Sequence, residues 1–455
     1  MASTCNFEKQ YEICGHQYDV IVVGGGSAGI CAAVASARQG ADTLLIENTG
    51  WLGGIGSTCA MVEFGPIKKY GLRVLGGIPY ELMQRMKGIG GTLTIEENEG
   101  MFFAPDTFAH AAMKMCLEAG VTLMLHSHFV DVITSKTANG RRIDGILVSD
   151  KSRPTVYTAK VYVDCTGDGD VFARANLPWA LGRESDGLTQ PMTLVYFAAN
   201  VNYTKYLEAR GESMVEYFKM LFEKAKNEGK LDVPITRPGS VGPVPRYGME
   251  YDPDCCEVFI NSTNVLGKSG ISSSDMTEAE IITREQVYEL FDFFKNNVPG
   301  FENSYLSHVP TRIGVRETRR LTGAYTVTRD DLLSGRKFED TVAIGFNMMD
   351  IHQVSGNDFD LTQIPDGCYY SIPYRTLYSD ALDNLLVAGR CISADHEALG
   401  AVRVMVNTMP TGEAAGCAAA LAATSGVSVG ALDTDLLRSR LADSGVILGE
   451  GSTHA

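Results

Sequence analysis

The chain has 455 residues, of which 45% are hydrophobic and 21% charged, a composition typical of a globular protein large enough for two domains. Its formal net charge of −16 repels phosphate backbones and anionic membrane surfaces, so neither nucleic acid nor a membrane is an expected partner. No apolar run approaches the roughly 20 residues that a bilayer-spanning helix needs, and the first seventeen residues lack the apolar run of a signal peptide. We therefore expect a cytoplasmic protein.

The eleven cysteines are scattered along the chain without the C-x-x-C pairs or clusters of zinc and iron–sulfur sites. We predict no metal site and expect mostly reduced thiols. Cys255 and Cys256 are adjacent and would suit a redox pair, but ordinary thiols are the simpler interpretation, and we assign them no chemistry.

The first predicted element is a strand over Tyr18–Val23, whose continuous hydrophobicity favours a parallel strand covered on both faces. An Ala-rich helix is predicted over Ile30–Gln39 and a second strand over Asp42–Glu47. The strand, glycine-rich turn, helix and second strand together indicate the βαβ unit that binds dinucleotides.

The turn between the first strand and the helix reads Gly24-Gly-Gly-Ser-Ala-Gly29. In a G-x-G-x-x-G turn, Gly24 makes the tight turn, Gly26 lets the backbone approach a pyrophosphate, and Gly29 allows close helix packing. Glu47 ends the second strand, where a carboxylate accepts hydrogen bonds from ribose hydroxyls. These residues predict a dinucleotide site.

Further strands and helices are predicted along the rest of the chain. Strands are expected over 121–125, 129–133, 142–148, 161–164 and 384–390, and helices over 107–120, 219–228, 277–297 and 411–423. Because the middle of the chain differs in character, we predict a discontinuous dinucleotide-binding domain over 18–60, 105–190 and 341–455, with a substrate or cap region over 61–104 and 191–340.

Three later segments make the chain similar to a known family. They are Gly50-Trp-Leu-Gly-Gly54, Asp164-Cys-Thr-Gly-Asp-Gly-Asp170 and Leu385-Leu-Val-Ala-Gly-Arg390. With them the chain resembles the FAD-dependent oxidoreductases of the glutathione-reductase-like flavoprotein fold. Further matching blocks are 190–194, 313–320, 372–375 and 390–399, so the resemblance covers nearly the whole chain. Cys59 departs from the family pattern, in which small non-thiol residues are usual.

The resemblance implies an α/β fold, with a Rossmann-like FAD-binding domain built on a parallel sheet and a mixed α+β substrate or cap domain. It also implies FAD as the cofactor. The residues expected to contact FAD are Gly24, Gly26, Ser27, Ala28, Gly29, Glu47, Asn48, Gly53, Gly54, Thr58, Val130, Thr166, Gly167, Asp168, Gly389, Arg390, Arg403 and Val404.

A second Gly-x-Gly-x-x-Gly after a strand is absent from the sequence, so a separate NAD(P)H domain is not predicted. Electrons would then leave the flavin to oxygen or to a small acceptor that enters the same pocket.

Four residues are candidates for catalysis. His396 is the candidate general base, because imidazole titrates near neutral pH and the residue follows the Gly-Arg strand end; a structural histidine is the alternative. Arg316, Arg375 and His352 are candidates for binding or polarising a polar or carboxylated substrate, since a guanidinium pairs well with a carboxylate. A salt-bridged surface is the alternative for the arginines.

These features predict a FAD-dependent oxidoreductase of the oxidase or dehydrogenase type, which transfers a hydride between the flavin and a small organic substrate. The alternatives are a flavin-dependent monooxygenase, an electron-transfer flavoprotein subunit, and a binding protein in which FAD is structural. The expected partner is a small-molecule substrate, and a homo-oligomer is left open.

Overall fold

A computed structural model describes residues 10–137, 140–235, 238–353 and 359–449. The elements up to residue 181 are β1 (Glu12–Val23), α1 (Ser27–Arg38), β2 (Thr43–Ile46), β3 (Glu63–Phe64), β4 (Lys68–Lys69), β5 (Leu72–Arg73), α2 (Gly77–Ile89), β6 (Thr92–Ile95), β7 (Gly100–Phe103), α3 (Pro105–Glu118), β8 (Thr122–Met124), β9 (His128–Lys136), β10 (Arg141–Ser149), β11 (Pro154–Asp164), α4 (Asp170–Arg174) and β12 (Trp179–Leu181). Those of the middle part are β13 (Tyr196–Val201), α5 (Tyr203–Arg210), α6 (Met214–Asn227), β14 (Ser240–Val244), β15 (Cys256–Asn261), α7 (Ser273–Asn297), β16 (Tyr305–His308), β17 (Arg319–Leu321) and α8 (Arg329–Leu333). The last part contains β18 (Thr341–Gly345), β19 (Met349–His352), β20 (Phe359–Thr362), β21 (Tyr370–Pro373), β22 (Leu385–Val387), α9 (His396–Val402), α10 (Met405–Ser425) and α11 (Thr434–Asp443).

The main sheet has the strand order β8-β2-β1-β11-β10-β9. The pairs β8/β2, β2/β1 and β1/β11 are parallel, whereas β10 runs antiparallel to both of its neighbours. The end of β11 also pairs in parallel with β22, which comes more than 200 residues later. The carboxy-terminal part of the chain therefore supplies a strand to the sheet that the amino-terminal part begins.

The predicted first strand lies within β1, and the predicted first helix overlaps α1. Val20, Ile21 and Val22 at the end of β1 are fully buried, as expected for a strand covered on both faces. The helix begins three residues earlier than predicted, at Ser27, because the glycine turn leads directly into its first turn.

Two parallel helices lie side by side on this sheet. A Cβ on Gly412 of α10 would lie 2.1 Å from the carbonyl oxygen of Ala28 in α1, and one on Gly416 would lie 2.0 Å from that of Ala32. Ser27 Oγ lies 3.3 Å from Thr408 Oγ1. Because the contacts advance in the same direction along both helices, α1 and α10 run parallel, with their amino termini at the same end.

The middle part of the chain forms a second, antiparallel sheet with the order β14-β15-β13-β16. Tyr196 and Ile260 face one core, which includes Phe294 of α7. Phe197 and Phe259, which alternate with them, belong instead to the central core shared with α1 and α10. This sheet thus separates its own helices from the main sheet.

Residues 61–104, for which the sequence shows little periodicity, form β3 to β7 and α2. Phe64, Leu82 and Phe103 are fully buried in the same central core as α1 and α10. The assignment of this segment to the cap region, like the other domain boundaries, stays a prediction.

The fold is α/β, with a Rossmann-type parallel sheet and a mixed α+β second part, as predicted. In the part of the chain that the structure describes, no helix has both the length and the apolar character needed to cross a membrane.

Candidate active site

The glycine turn between β1 and α1 has a specific reason for each glycine. Gly24 has a φ of +99°, and a Cβ on Gly29 would lie 1.8 Å from the Gly24 carbonyl oxygen. A Cβ on Gly26, by contrast, would meet nothing within 4 Å. Gly24 and Gly29 are therefore required by the turn itself, whereas Gly26 leaves an open surface at the amino terminus of α1, where free amides favour phosphate. This cradle fits the pyrophosphate of FAD.

The second glycine segment lies against this turn. Gly53, with a φ of +117°, donates its N–H to the Gly25 carbonyl at 2.8 Å, and a Cβ on Gly54 would lie 3.0 Å from the Cα of Gly26. Thr58 Oγ1 donates to the Gly54 carbonyl at 3.0 Å. Three of the residues predicted to contact FAD thus adjoin the cradle.

Glu47 joins the two segments. Its Oε2 accepts the Gly25 N–H at 2.8 Å, and its Oε1 accepts the N–H and the hydroxyl of Thr49, both at 2.8 Å. A carboxylate has further lone pairs, so these bonds leave room for the predicted contact with a ribose hydroxyl.

Two residues beside Glu47 were not identified from the sequence. The N–H of Ser127 donates to the Glu47 carbonyl at 3.0 Å, and that of His126 donates to the Thr49 carbonyl at 3.1 Å. The predicted Val130 instead lies on the edge strand β9 with 40% of its surface exposed. Asn48 accepts a hydrogen bond from Arg312 Nη1 at 3.1 Å.

The Thr166-Gly-Asp168 turn is tied to the Gly-Arg strand end by one ion pair. Arg390 Nη2 lies 2.7 Å from Asp168 Oδ1, and its Nη1 donates to Thr318 Oγ1 at 2.8 Å. Thr318 in turn donates to the Gly167 carbonyl at 3.2 Å. The predicted turn and the predicted arginine are therefore brought together.

Asp164, which precedes this turn, is a fully buried carboxylate that sequence reasoning did not assign a role. It accepts hydrogen bonds from the N–H and the hydroxyl of Thr166 and from the N–H groups of Val171 and Phe172. Burial raises its pKa to about 6. Its position at the end of β11 was visible in the sequence, but the four donors come from the folded turn and from α4.

The amino terminus of α10 lies beside that of α1. Val404 is the N-cap residue of α10, and Gly389 donates its N–H to Thr411 Oγ1 at 3.2 Å. An elongated ligand whose phosphates occupy the α1 terminus would place its other end near the α10 terminus, whose free amides favour negative charge.

Several buried polar atoms near this terminus have no hydrogen-bond partner among the described residues. They are Gln190 Nε2, Arg403 Nε and Asn407 Oδ1. Because buried polar groups almost always have partners, these atoms fit a site that is completed by a polar ligand such as FAD or a substrate.

Both candidate histidines belong to one hydrogen-bonded chain. His396 Nδ1 lies 2.9 Å from Glu317 Oε1, Glu317 Oε2 accepts the Gln190 N–H at 3.0 Å, and Gln190 Oε1 accepts the His352 N–H at 3.2 Å. His352 Nε2 lies 3.4 Å from Asp350 Oδ2. Glu317, Gln190 and Asp350 were not among the predicted site residues.

Two arginines, Arg316 and Arg403, lie beside this hydrogen-bonded chain. The cluster, as we call it, consists of Gln190, Arg316, Glu317, Asp350, His352, His396 and Arg403. Arg403 donates to the carbonyl of Asp350 at 2.7 Å, and Arg316 donates to the Pro191 carbonyl at 2.8 Å and to Thr193 Oγ1. Although burial opposes ionisation, the hydrogen bond from His352 and the charges of Arg403 and Arg316 hold the pKa of Asp350 well below its usual range. Burial and the Arg316 charge lower the pKa of His352 to about 3, so its imidazole is neutral.

The structure does not bring Arg375 into this cluster. Its guanidinium forms an ion pair with Asp340 (3.0 Å) and lies over the ring of Tyr325, and 45% of the side chain is exposed. Arg319 and Arg320 also form ion pairs, Arg319 with Asp170 and Arg320 with Glu317, but the second pair is buried and is not part of a surface. Cys59 donates from Sγ to the Ile313 carbonyl at 3.5 Å, and burial raises its pKa.

Comparisons with known proteins agree with this architecture. A curated relative, the tRNA uridine 5-carboxymethylaminomethyl modification enzyme MnmG of Dichelobacter nodosus, is 26% identical over 252 residues, covering 48% of this chain and 38% of that protein. The chain thus spans less than two fifths of that relative's length.

Solved structures were matched over most of the chain. The p-nitrophenol 4-monooxygenase PnpA from Pseudomonas putida DLL-E4 matches with a TM-score of 0.50 and 10% identity, covering 97% of this chain and 87% of that one. A geranylgeranyl bacteriochlorophyll reductase-like protein from Thermoplasma acidophilum matches with a TM-score of 0.44 and 15% identity, covering 94% and 84%. At this identity the likeness to PnpA shows the fold alone.

The decisive comparison is with the family described as FAD dependent oxidoreductase, whose sequence model matches residues 19–441. The predicted family and cofactor are therefore confirmed: the chain belongs to the FAD-dependent oxidoreductases, and FAD is its cofactor.

Proposed function

We propose that the protein transfers a hydride between FAD and a small organic molecule that carries a carboxylate, with Arg316 binding the carboxylate and His396 exchanging a proton with the substrate. When bound, FAD supplies the two-electron redox chemistry that no amino-acid side chain provides. The residues of the chain would bind and orient the substrate and move its proton.

The observation that carries this proposal is the environment of Arg316. Its guanidinium is half-buried and donates to the Pro191 carbonyl and the Thr193 hydroxyl, but no carboxylate of the described residues lies within 4 Å of it. Burial and the neighbouring Arg403 lower its pKa to about 9, so it is still charged at neutral pH. A cation held in this way is suited to an anion supplied by a ligand.

The charges of the surrounding cluster favour the same substrate class. Arg316 and Arg403 flank the ionised carboxylate of Asp350, His352 is neutral, and the charge of the buried Glu317 is balanced by its ion pair with Arg320. Two positive charges against one negative charge leave a net charge of +1. A bound carboxylate would neutralise that charge, whereas an amine would add to it.

We propose a small molecule rather than a nucleic acid as the partner, although the curated relative is named for tRNA modification. The net charge of −16 opposes the approach of a polyanion. A membrane is likewise not proposed as a partner. Cytoplasmic location stays a prediction that cell fractionation would test.

Anaerobic bleaching of the flavin tests the substrate class. Hydroxy acids, amino acids and unsaturated acids should bleach the holoenzyme, whereas matched alcohols, amines and sugars should not. Arg316→Met should raise the KM of the reactive acid about 10- to 150-fold, in line with a charged hydrogen bond of about 1.5–3 kcal/mol. Equal bleaching by uncharged analogues together with an unchanged KM would refute the proposed carboxylate site.

Arg375→Met is the matched control, because that guanidinium is paired with Asp340. It should leave KM unchanged; a large rise would instead support the role predicted for Arg375 from the sequence. NAD(P)H-dependent formation of a hydroxylated product would favour a monooxygenase, and bleaching only by a partner protein would favour an electron-transfer subunit. If no reductant bleaches the flavin, FAD has a structural role.

A further inference from the structure

Glu317 has an environment that no other residue of the cluster shares. The side chain is fully buried, and its Oε1 accepts from the guanidinium of Arg320 and lies 2.9 Å from His396 Nδ1. Its Oε2 accepts the N–H of Gln190 at 3.0 Å. One carboxylate thus joins three parts of the chain, which are its own arginine-rich stretch, the start of α9 and Gln190.

The partners of Glu317 determine its ionisation and thereby the tautomer of His396. Oε2 accepts a backbone N–H, and Oε1 is the ion-pair partner of the buried guanidinium of Arg320. Protonation of Glu317 would leave that cation buried without a counter-charge, so the carboxylate is ionised. An ionised carboxylate also has no proton to offer His396. Nδ1 of His396 must therefore carry the hydrogen, and in the neutral imidazole Nε2 is left as the acceptor.

We infer that Glu317 is the positioning residue for His396: it holds the imidazole in the tautomer whose Nε2 can accept a proton. A buried carboxylate that fixes the ring and tautomer of a histidine is a general device for preparing a base. The inference rests on the proposed role of His396 for its catalytic meaning, but the tautomer itself exists without substrate.

Glu317 also positions Gln190, which connects it to His352. Its bond to the Gln190 N–H holds the main chain of that residue, and the Gln190 side chain accepts the His352 N–H through Oε1. This bond fixes the orientation of the Gln190 side-chain amide: the atom facing the backbone N–H of His352 must be the oxygen, because an N–H requires an acceptor. Nε2 of Gln190 is then a buried donor without a partner among the described residues. The same carboxylate thus orients the candidate base and an amide donor.

The test is ¹⁵N NMR of the histidine-labelled holoenzyme at pH 8.5, where an ordinary imidazole is neutral. The His396→Gln spectrum identifies the His396 signals by difference. In the native protein, Nδ1 should be protonated and Nε2 unprotonated. The opposite tautomer would overturn the inference, and this measurement needs neither a substrate nor a variant of Glu317.

Removing Glu317 alone would leave Arg320 buried without its carboxylate, which is strongly destabilising. The variant Glu317→Met with Arg320→Met removes both charges and keeps apolar side chains of similar length. In it, the tautomer with the proton on Nε2 should appear; retention of the native tautomer would count against the positioning role. Asp331→Asn is the matched control, since Asp331 is a buried carboxylate at the start of α8, and it should leave the His396 signals unchanged.

Kinetics separates this inference from the proposed function. If Glu317 acts through His396, the double Met variant should slow flavin reduction in the native background and have no further effect in the His396→Ala background. If His396→Ala does not slow flavin reduction, the proposed base is wrong, while the NMR result still decides whether Glu317 sets the tautomer.

Discussion

The carbonyl oxygen of Ala28 lies so close to Gly412 that a Cβ on Gly412 would be 2.1 Å from it. This contact holds α10 against α1 and sets their amino termini side by side. The close approach of two backbones, more than the chemistry of either side chain, therefore positions the two ends of the candidate cofactor site.

Gly412→Ala should consequently destabilise the protein. The added methyl group would force α1 and α10 apart, at a cost of about 1–3 kcal/mol or more, and urea unfolding would measure it. Gly88 is the matched control, because it is also a helical glycine but a Cβ there meets nothing within 4 Å. Gly88→Ala should stabilise the protein by roughly 0.5–1 kcal/mol. Equal effects of the two substitutions would show that α1 and α10 are not in close contact.

Gly26→Val should abolish FAD retention without unfolding the protein. The side chain would point into open space at the cradle and occupy the volume proposed for the pyrophosphate. Flavin absorbance after gel filtration measures retention, and circular dichroism checks the fold. Gly29→Ala is the contrasting variant, which should disrupt the turn itself. Normal FAD content in Gly26→Val would mean that the pyrophosphate binds elsewhere.

His396→Ala should slow flavin reduction by substrate about a hundredfold or more, because general-base catalysis contributes about 10²–10⁴. Anaerobic stopped-flow measurement of a single turnover reports this step directly. His110→Ala provides the control, since His110 lies exposed on α3. An unaltered rate in His396→Ala would remove this residue from the proposed mechanism.

Glu413 should make the stability of the protein depend on pH. It is 2% exposed, it accepts the Ile78 N–H at 3.0 Å, and burial raises its pKa from 4.5 to about 8. Between these two pH values the folded state holds a proton that the unfolded state has released, so the contribution of Glu413 to stability is fully present below pH 4.5 and is lost as the pH rises through about 8.

Urea unfolding at pH 5.5, 7.0 and 8.5 measures this dependence. Glu413→Gln cannot ionise, and its free energy of unfolding should fall less over this range than that of the native protein. Glu81→Gln is the control, because hydrogen bonding to Arg38 lowers the pKa of Glu81. Its free energy of unfolding should not show the smaller fall with pH that is expected for Glu413→Gln. Parallel curves for Glu413→Gln and the native protein would show that Glu413 is already ionised when buried.

The positions that the sequence identified best are those where local backbone geometry allows few residue types. Gly24 could be identified from the sequence because its positive φ favours glycine, and Gly29 because a Cβ there would lie 1.8 Å from a carbonyl oxygen. The same motifs led to the family and the cofactor, which the match over residues 19–441 confirms. The burial of β1 likewise follows from its continuous hydrophobic run.

The arrangement of the charged residues depends on contacts between distant parts of the chain. His396 and Glu317 are separated by 79 residues, and Glu317 and Gln190 by 127. Arg316 and Arg375 look equivalent in the sequence, but only Arg375 finds a carboxylate in the described fold, at Asp340.

The sequence by itself thus determined the fold class, the family and the glycine turn that we expect to hold FAD, because strand hydrophobicity and tight glycine turns are local properties. Only the tertiary structure decided which arginine lacks a carboxylate partner and which carboxylate holds His396. Pairing between charges depends on distances in space, and these are set by the packing of α10 on α1 and of β22 on β11.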